Sequence, residues 1–237
     1  MNKQKTYGLY RRIVSVFFPN ICPFCGRVIG ADEYWCKSCP EFLPYIRKPL
    51  LPPDNIARFY ACCYYTQRAK SAVYMMKFGG YVYPSDAFAK MMSKMLSDEL
   101  KNADMLVPVP SSIKSVTERG FAPAEMIAGR LSWRSNIPTV KALKACRGKL
   151  DQKGLSGKMR VENAKHSFYP DDNIDICGKR VVLIDDVCTT GSTLSACAEL
   201  LLEAGAKEVI GAVFAKTVDF THFRIIPREK YSVKKRG

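Results

Sequence analysis

The chain has 237 residues, 47% of them apolar and 25% charged, and lysine and arginine outnumber aspartate and glutamate by 15. These values are typical of a soluble globular protein with one good-sized core and a small appendage. No stretch approaches the ~18 consecutive apolar residues of a membrane span, so a membrane-spanning chain is excluded. The positive charge favours polyanionic partners such as nucleic acid, although a generally basic surface would give the same count.

Residues 7–18 are predicted to form a short amphipathic helix because their apolar residues fall at helical spacing. Arg11 and Arg12 precede an apolar run, as in a signal peptide, but the run is short, Pro19 closes it and no small-residue cleavage site follows. We therefore expect a cytoplasmic protein whose ten cysteines are reduced. The helix is expected to cover a neighbouring module, and binding to a membrane surface is the alternative.

Two Cys-x-x-Cys pairs follow and predict a small metal-binding module. Cys22 and Cys25 form the first pair, and Cys36 and Cys39 form the second after a spacer of ten residues. Four thiolates satisfy Zn²⁺ in a closed tetrahedral site, which is structural because it leaves no position for a substrate. The spacer is shorter than the usual template, so another soft metal or a cluster stays open, and reduced cysteines without metal are the third possibility.

A proline-rich stretch at 40–57 is predicted to link this module to the main domain. A strand is expected at 58–65 and a helix at 67–76, which leads to Lys77 and a pair of glycines. The chain is thus divided into residues 1–57 with the helix, cysteine module and linker, residues 58–220 as the main domain, and residues 221–237 as a basic C-terminal tail.

The next elements lead to a proline-containing loop. A helix is expected from Ser85 to about Leu100, with a methionine-rich inner face that fills the core. The following strand ends in Val107-Pro108-Val109-Pro110, and proline at the mouth of a parallel strand fixes the backbone where a ligand approaches. Arg119 follows, before a helix predicted at 123–133.

The segment 141–160 is rich in lysine and arginine and contains three glycines, so part of it is predicted to be a mobile loop. A cationic loop of this kind is suited to close over a diphosphate and exclude water. A solvated basic loop without such a role is the alternative.

The most informative stretch is a short strand followed by two acids and a hydroxyl-rich loop. Val181 to Ile184 suit a buried parallel strand that ends at Asp185 and Asp186. The loop Thr189-Thr190-Gly191-Ser192-Thr193 opens a helix predicted at 193–204, and a strand at 208–214 completes a βαβ unit. Unpaired N–H groups, the helix dipole and the hydroxyls favour an anion there.

Two acids beside an anion site favour a ligand with both phosphate and hydroxyl groups, such as a sugar phosphate. The alternative is an ordinary strand-to-helix turn in which a threonine serves as the N-cap. The stretch from Val181 to Thr193 resembles the phosphoribosyl pyrophosphate (PRPP) signature of type I phosphoribosyltransferases: a hydrophobic run, two acids, then Thr-Thr-Gly-x-Thr. The resemblance implies that Asp185 and Asp186 bind the ribose hydroxyls and that the loop binds the 5′-phosphate.

Further motifs, spread over residues 9–217, make the chain similar to the ComF family. They are the four cysteines, Lys77-Phe78-Gly79, Val107 to Pro110, Arg119-Gly120-Phe121, Gln152 to Asn163 with Leu155 and Arg160, and the Asp-Asp-Val-x-Thr-Thr-Gly loop. The resemblance implies a type I phosphoribosyltransferase-like α/β fold, a parallel sheet flanked by helices, preceded by a zinc-ribbon-like module.

For individual residues, the resemblance implies that Cys22, Cys25, Cys36 and Cys39 are zinc ligands and that Val107 to Pro110 contact pyrophosphate. It also implies an association with DNA uptake in natural transformation. In one departure, Ala122-Pro123 stands where the family usually has Asn-Gln, so two side-chain amides available to a substrate are missing. The acceptor is not identified by the sequence.

The resulting hypothesis is a PRPP-binding, phosphoribosyltransferase-like protein linked to DNA uptake, with Mg²⁺ bridging the diphosphate and the ribose hydroxyls. Lys77, Arg119 and the basic loop with Gln152 and Arg160 are the candidates for neutralising the diphosphate. Whether the protein transfers the phosphoribosyl group is left open. Two alternatives lack catalysis: a module that binds single-stranded DNA or a nucleotide and assists a separate motor ATPase or other competence proteins, and a PRPP-sensing regulator.

Overall fold

The computed structural model describes residues 12–13, 16–17, 19–79, 81, 83–146 and 167–218. A parallel four-stranded sheet with the order β1-β6-β5-β2 forms its centre, and β3 pairs with β4 in a separate antiparallel ribbon. The strands are β1 (Arg58–Tyr64), β2 (Met105–Pro108), β3 (Leu143–Ala145), β4 (Phe168–Pro170), β5 (Arg180–Cys188) and β6 (Glu208–Lys216). The helices are α1 (Gln67–Phe78), α2 (Pro84–Met95), α3 (Ile113–Arg119), α4 (Pro123–Ser135) and α5 (Ser192–Glu203). The predicted α/β class is confirmed.

The sheet is buried on both faces because successive side chains of a strand point to opposite sides. Val182 and Ile184 of β5 belong to a core that contains residues of α1, α2 and α4. Val181 and Leu183 belong to a second core, formed with α5. The continuous apolar run that predicted a buried parallel strand is explained by these two cores.

Aromatic side chains join the cysteine module to the first core. The rings of Phe88 on α2 and Phe214 on β6 are stacked, with centroids 3.7 Å apart and planes inclined by 13°. Phe24, which lies between the first two cysteines of the module, stacks on the same Phe214 ring at 6.3 Å. The module therefore packs directly on the sheet.

The proline-rich stretch covers the outer edge of β1. The N–H of Ile46 donates to the carbonyl oxygen of Cys62 over 3.0 Å, and the N–H of Leu50 donates to that of Phe59 over 2.9 Å. These antiparallel contacts satisfy backbone groups that an edge strand would otherwise expose. The stretch predicted as a linker thus packs along the sheet instead of spanning open solvent.

Several expected elements lie partly or wholly outside the described residues. Of the helix predicted at 7–18, residues 12–13 and 16–17 are described and are helical. The tail at 221–237 lies outside the described residues. In the part of the chain that the structure describes, no helix is both long enough and apolar enough to span a membrane.

Candidate functional site

Asp185 and Asp186 lie where β5 extends beyond its neighbour β2. β2 pairs with β5 only as far as Pro108, opposite Ile184, whereas β6 stays paired with β5 as far as Cys188. The prediction that the strand ends at the two acids is therefore wrong, because the residues after them remain in the ladder with β6. The acids sit on an edge of β5 that β2 has left uncovered.

The chain that leaves β2 turns beside these acids. The N–H of Val109 donates to the carbonyl oxygen of Ile184 over 2.9 Å, which keeps the turn against β5. Val107, Pro108 and Val109 are buried and Pro110 is half-buried. The four residues predicted on the pyrophosphate side thus adjoin the carboxyl end of β5, where they offer a ligand backbone groups more than side chains.

The two acids form a compact charged cluster with Lys77 at the end of α1. The N–H of Asp186 donates to Asp185 Oδ1 over 2.8 Å, and the N–H of Val187 donates to Asp186 Oδ1 over 2.9 Å. Asp186 is 4% exposed, and Lys77 Nζ lies 2.5 Å from its Oδ2 as an ion pair that lacks hydrogen-bond geometry. One cation therefore faces two acids.

The environment also raises the pKa of Asp185 well above its usual range. Burial is the main cause and the charge of Asp186 the second, while the N–H of Asp186 and the charge of Lys77 act in the opposite direction. A cation brought to this edge of β5 would counteract both causes that raise this pKa.

The loop from Thr189 to Thr193 leaves the beginning of α5 without a side-chain cap. Gly191 is the N-cap residue, with a φ of 91° that L side chains rarely adopt. A Cβ at this position would lie 2.7 Å from Pro53 Cγ, so glycine is required for the close approach of the proline-rich stretch. The alternative turn with threonine as N-cap is wrong, because glycine takes that place and leaves first-turn N–H groups for a ligand.

Hydroxyl groups surround this opening, and a lysine supports it from behind. Thr190 Oγ1 and Ser192 Oγ are 2.8 Å apart, and Thr189 and Thr190 are exposed. Lys216 Nζ donates to the carbonyl oxygens of Thr189, over 2.6 Å, and Thr217, over 3.0 Å. Sequence reasoning missed the role of Lys216, because the parallel register that places it opposite the last residue of β5 is set only by folding.

Arg119, the last residue of α3, lies at the same end of α1 as Lys77. Its guanidinium carbon lies 5.3 Å from the centroid of the Phe78 ring, the residue after Lys77. Arg119 forms no ion pair with any residue that the structure describes. Two predicted diphosphate cations are thus brought to the same end of α1, one paired with an acid and one held by an aromatic ring.

The four cysteines of the N-terminal module form a single cluster. The Sγ atoms of Cys22, Cys25, Cys36 and Cys39 all lie within 4.8 Å of one another, and those of Cys25 and Cys36 are 3.7 Å apart. A tetrahedron with Zn–S bonds of about 2.3 Å has edges of about 3.8 Å, so the thiol set fits a zinc ion. Arg68 Nη1 on α1 lies 3.0 Å from Cys39 Sγ and can offset thiolate charge.

Comparisons with known proteins agree with this geometry. A family model described as "Phosphoribosyl transferase domain" matches residues 86–224, more than half of the chain. The chain is 30% identical to competence protein ComFC of Bacillus subtilis (strain 168) over 78% of this chain and 73% of that protein. The chain belongs to the ComF family.

Two further relatives extend over similar lengths. Competence protein F of Haemophilus influenzae is 26% identical over 79% of this chain and 82% of its own. DNA utilization protein YhgH of Escherichia coli (strain K12) is 27% identical over 80% of this chain and 87% of its own. This ComF family chain thus shares most of its length with these relatives.

Other predicted residues of this ComF protein fall outside the described site. Gln152 and Arg160 lie outside the described residues. Within the basic segment, Lys141 is paired with Glu125 over 2.6 Å and Lys144 with Asp171 over 2.7 Å. The positive charges of these two lysines are therefore neutralised by acids of the protein itself. Only the other basic residues of the segment could contribute positive charge to a diphosphate site.

The departure from the family pattern falls at the start of α4. Ala122 is the N-cap residue and makes no side-chain cap, while Pro123 occupies the first turn, where its missing N–H costs nothing. An asparagine at such a position would cap the helix, worth about 1 kcal/mol. Compared with an asparagine, Ala122 therefore offers neither a side-chain cap to the helix nor a polar group to a ligand.

Proposed function

We propose that this ComF protein binds PRPP together with Mg²⁺ at the carboxyl ends of β5 and β2. The observation that carries the proposal is the placement of Asp185 and Asp186 directly before the glycine-capped opening of α5. A ligand that fits must present hydroxyls to the acids and a phosphate to the loop, which is the pattern of a ribose 5-phosphate. The phosphoribosyl transferase domain match supports this ligand class.

The donor set of the cluster fits a hard divalent cation. Asp186 Oδ2 is buried with the Lys77 ammonium as its ion-pair partner, and carboxylate oxygens are the protein ligands that Mg²⁺ prefers. A bound Mg²⁺ would neutralise part of the negative charge of the diphosphate and would orient the diphosphate. Asp185 and Asp186 would hold it, directly or through its waters, together with the ribose hydroxyls.

The remaining residues are assigned by their positions around the acids. Thr189 to Thr193 would bind the 5′-phosphate through N–H and hydroxyl groups, with Lys216 fixing the loop from behind. Lys77 and Arg119 would face the diphosphate. When a metal cation takes the place of the Lys77 ammonium beside Asp186, Lys77 can contact the diphosphate instead. Val107 to Pro110 would shape the pyrophosphate side.

Such a site supports transfer of the phosphoribosyl group by positioning and charge neutralisation. The anomeric C–O bond breaks, its electron pair leaves with pyrophosphate, and an acceptor lone pair forms the new bond to the anomeric carbon. The acceptor then loses its proton to solvent. Because Ala122-Pro123 lacks the two amides that the family resemblance leads us to expect, we propose that donor binding is retained and that the acceptor supplies its own nucleophile.

We further propose that donor binding serves DNA uptake or use, in keeping with the names of the relatives. All ten cysteines are free thiols in the structure, which supports a reducing compartment, the cytoplasm. As a working division, we retain residues 1–57, 58–220 and 221–237 as module with linker, main domain and tail. A motor ATPase and other competence proteins are the partners that this role would require.

Calorimetric titration with PRPP, with and without Mg²⁺, tests the donor site. Binding should require Mg²⁺ and should be abolished by Asp185→Asn combined with Asp186→Asn. Asp98→Asn is the control, because Asp98 is exposed and, among the residues that the structure describes, pairs only with Lys101. The double variant should remain folded, since removing two close acids also removes their repulsion. Unchanged PRPP affinity in the double variant would disprove the ribose assignment.

A further inference from the structure

A second cleft lies between the cysteine module and the main domain, away from the acids of β5. It has a volume of about 950 Å³. Trp35 and Pro40 of the module form one wall, the proline-rich stretch forms another, and α2 and α4 complete it, with Tyr60 and Cys62 of β1 at its base. Its walls thus come from separate parts of the chain that the fold brings together.

The charge of this cleft is entirely positive. Five basic residues line it and no acidic residue does; they are Arg47, Lys48, Lys90, Lys94 and Arg134. None of the five forms an ion pair with a residue that the structure describes. Five uncompensated cations in a concave surface concentrate positive potential, which favours a polyanion.

Aromatic rings are interleaved with these cations. Lys90 Nζ lies 4.3 Å from the centroid of the Tyr34 ring and 5.4 Å from that of Trp35, and the Arg134 guanidinium lies 4.8 Å from Tyr34. Tyr45, which is 42% exposed, lines the cleft from the proline-rich stretch. One exposed and two half-buried rings beside cations provide stacking surfaces next to phosphate-binding groups.

An acid that contacts the lining residue Tyr60 does not cancel this charge. Glu99 accepts a hydrogen bond from Tyr60 Oη over 2.6 Å, but it is already paired with Arg58 at the same distance. The cleft is also separate from the proposed donor site, since it adjoins β1, which β6 separates from β5 in the sheet. No residue that lines the cleft belongs to the acid cluster or to the loop before α5.

We propose that this cleft binds single-stranded nucleic acid, with phosphates on the five cations and bases stacked on its aromatic rings. Stacking platforms beside cations recognise single strands with little sequence preference, whereas a compact nucleotide would leave most of these groups unused. The proposal does not depend on PRPP binding. It places nucleic-acid contact at the junction of the cysteine module with the main domain, not in the segment at 141–160.

The test is fluorescence anisotropy with labelled oligothymidine and oligouridine of about 12 nucleotides, within the usual range of site sizes. For single strands, each phosphate contact contributes about −0.7 to the slope of log K against log salt, so five contacts give about −3.5. Lys90→Glu with Lys94→Glu should make the slope shallower by about 1.4. Oligothymidine and oligouridine together show whether DNA or RNA is preferred.

Matched variants separate the cleft from the overall charge. Lys70→Glu with Lys207→Glu changes the net charge equally at exposed positions outside the cleft, and its salt slope should stay near that of the wild type. Tyr45→Ala removes one stacking surface and should weaken binding by about 5- to 150-fold. Equal loss in the two charge-reversed proteins, or none in the cleft variant, would overturn the proposal.

Two further measurements locate the bound strand. The chain has two tryptophans, so Trp133→Phe leaves Trp35 as the only one, and its fluorescence should be quenched when a strand stacks in the cleft. PRPP with Mg²⁺ should not displace the oligonucleotide. Displacement by PRPP, or binding without any change in Trp35 emission, would place nucleic acid elsewhere and refute the assignment.

Discussion

Replacing Arg68 with methionine should weaken zinc binding by about 10- to 100-fold, the usual effect of losing a partner of a metal ligand. Arg68 Nη1 lies 3.0 Å from Cys39 Sγ, and its guanidinium carbon lies 4.6 Å from the centroid of the Phe42 ring. Four thiolates around Zn²⁺ carry two net negative charges, so a hydrogen bond from arginine is charge-assisted. Such bonds contribute about 1.5–3 kcal/mol, and about 1.4 kcal/mol corresponds to a factor of ten.

Competition with a coloured zinc chelator measures this loss without any assay of activity. Lys70→Met is the matched control, since Lys70 is an exposed cation on the same helix and approaches no cysteine. Arg27→Met should have a smaller effect, because Arg27 Nη2 lies 3.4 Å from Cys36 Sγ. The order of zinc affinities should therefore be wild type and Lys70→Met, then Arg27→Met, then Arg68→Met.

Arg68 belongs to α1 of the main domain, so its contact also attaches the module to that domain. Thermal unfolding of the Arg68 variant should begin at a lower temperature, and proteolysis should cut between module and main domain more readily. If Arg68→Met holds zinc as tightly as Lys70→Met does, the hydrogen bond to Cys39 contributes nothing to the site and the reasoning is refuted.

Two other substitutions test the donor site through stability. The raised pKa of Asp185 favours folding when its carboxyl group is protonated, a contribution present at acid pH and lost as pH rises through the folded-state pKa. Asp185→Asn should therefore raise the melting temperature at neutral pH but not at acid pH; a uniform effect would contradict this. Gly191→Ala should cost at least about 1–2 kcal/mol, because its φ is positive and Pro53 is close. Gly129→Ala, in open space on α4, should be neutral or stabilising; equal denaturation midpoints for the two would refute the argument.

The features predicted well from the sequence are those in which local chemistry decides the structure. The apolar run before Asp185 fixes a buried strand, and the helix predicted at 193–204 is α5, which begins and ends one residue earlier. Four cysteines in two close pairs allow few arrangements other than one cluster, which the structure shows. In each case the residues that matter are neighbours in the chain.

The features that were missed depend on residues brought together only by folding. The end of β5 was placed too early because its last residues are held by β6, more than twenty positions later. The pairing of Lys77 with Asp186 and the support of the loop by Lys216 likewise join distant segments. Pattern reasoning identifies the groups but not their partners, since register and helix placement are tertiary properties.

β6 is the element that connects these separate observations. At one position its Phe214 stacks on both Phe24 of the cysteine module and Phe88 of α2. Two residues later Lys216 supports the loop proposed to bind phosphate. Phe214 and Lys216 lie close together on the same rigid strand. A change in how the module packs on Phe214 should therefore shift Lys216 and the position of the loop that it supports. The cysteine module, through Phe24 and Phe214, is thus placed to stabilise the strand that supports the proposed donor site.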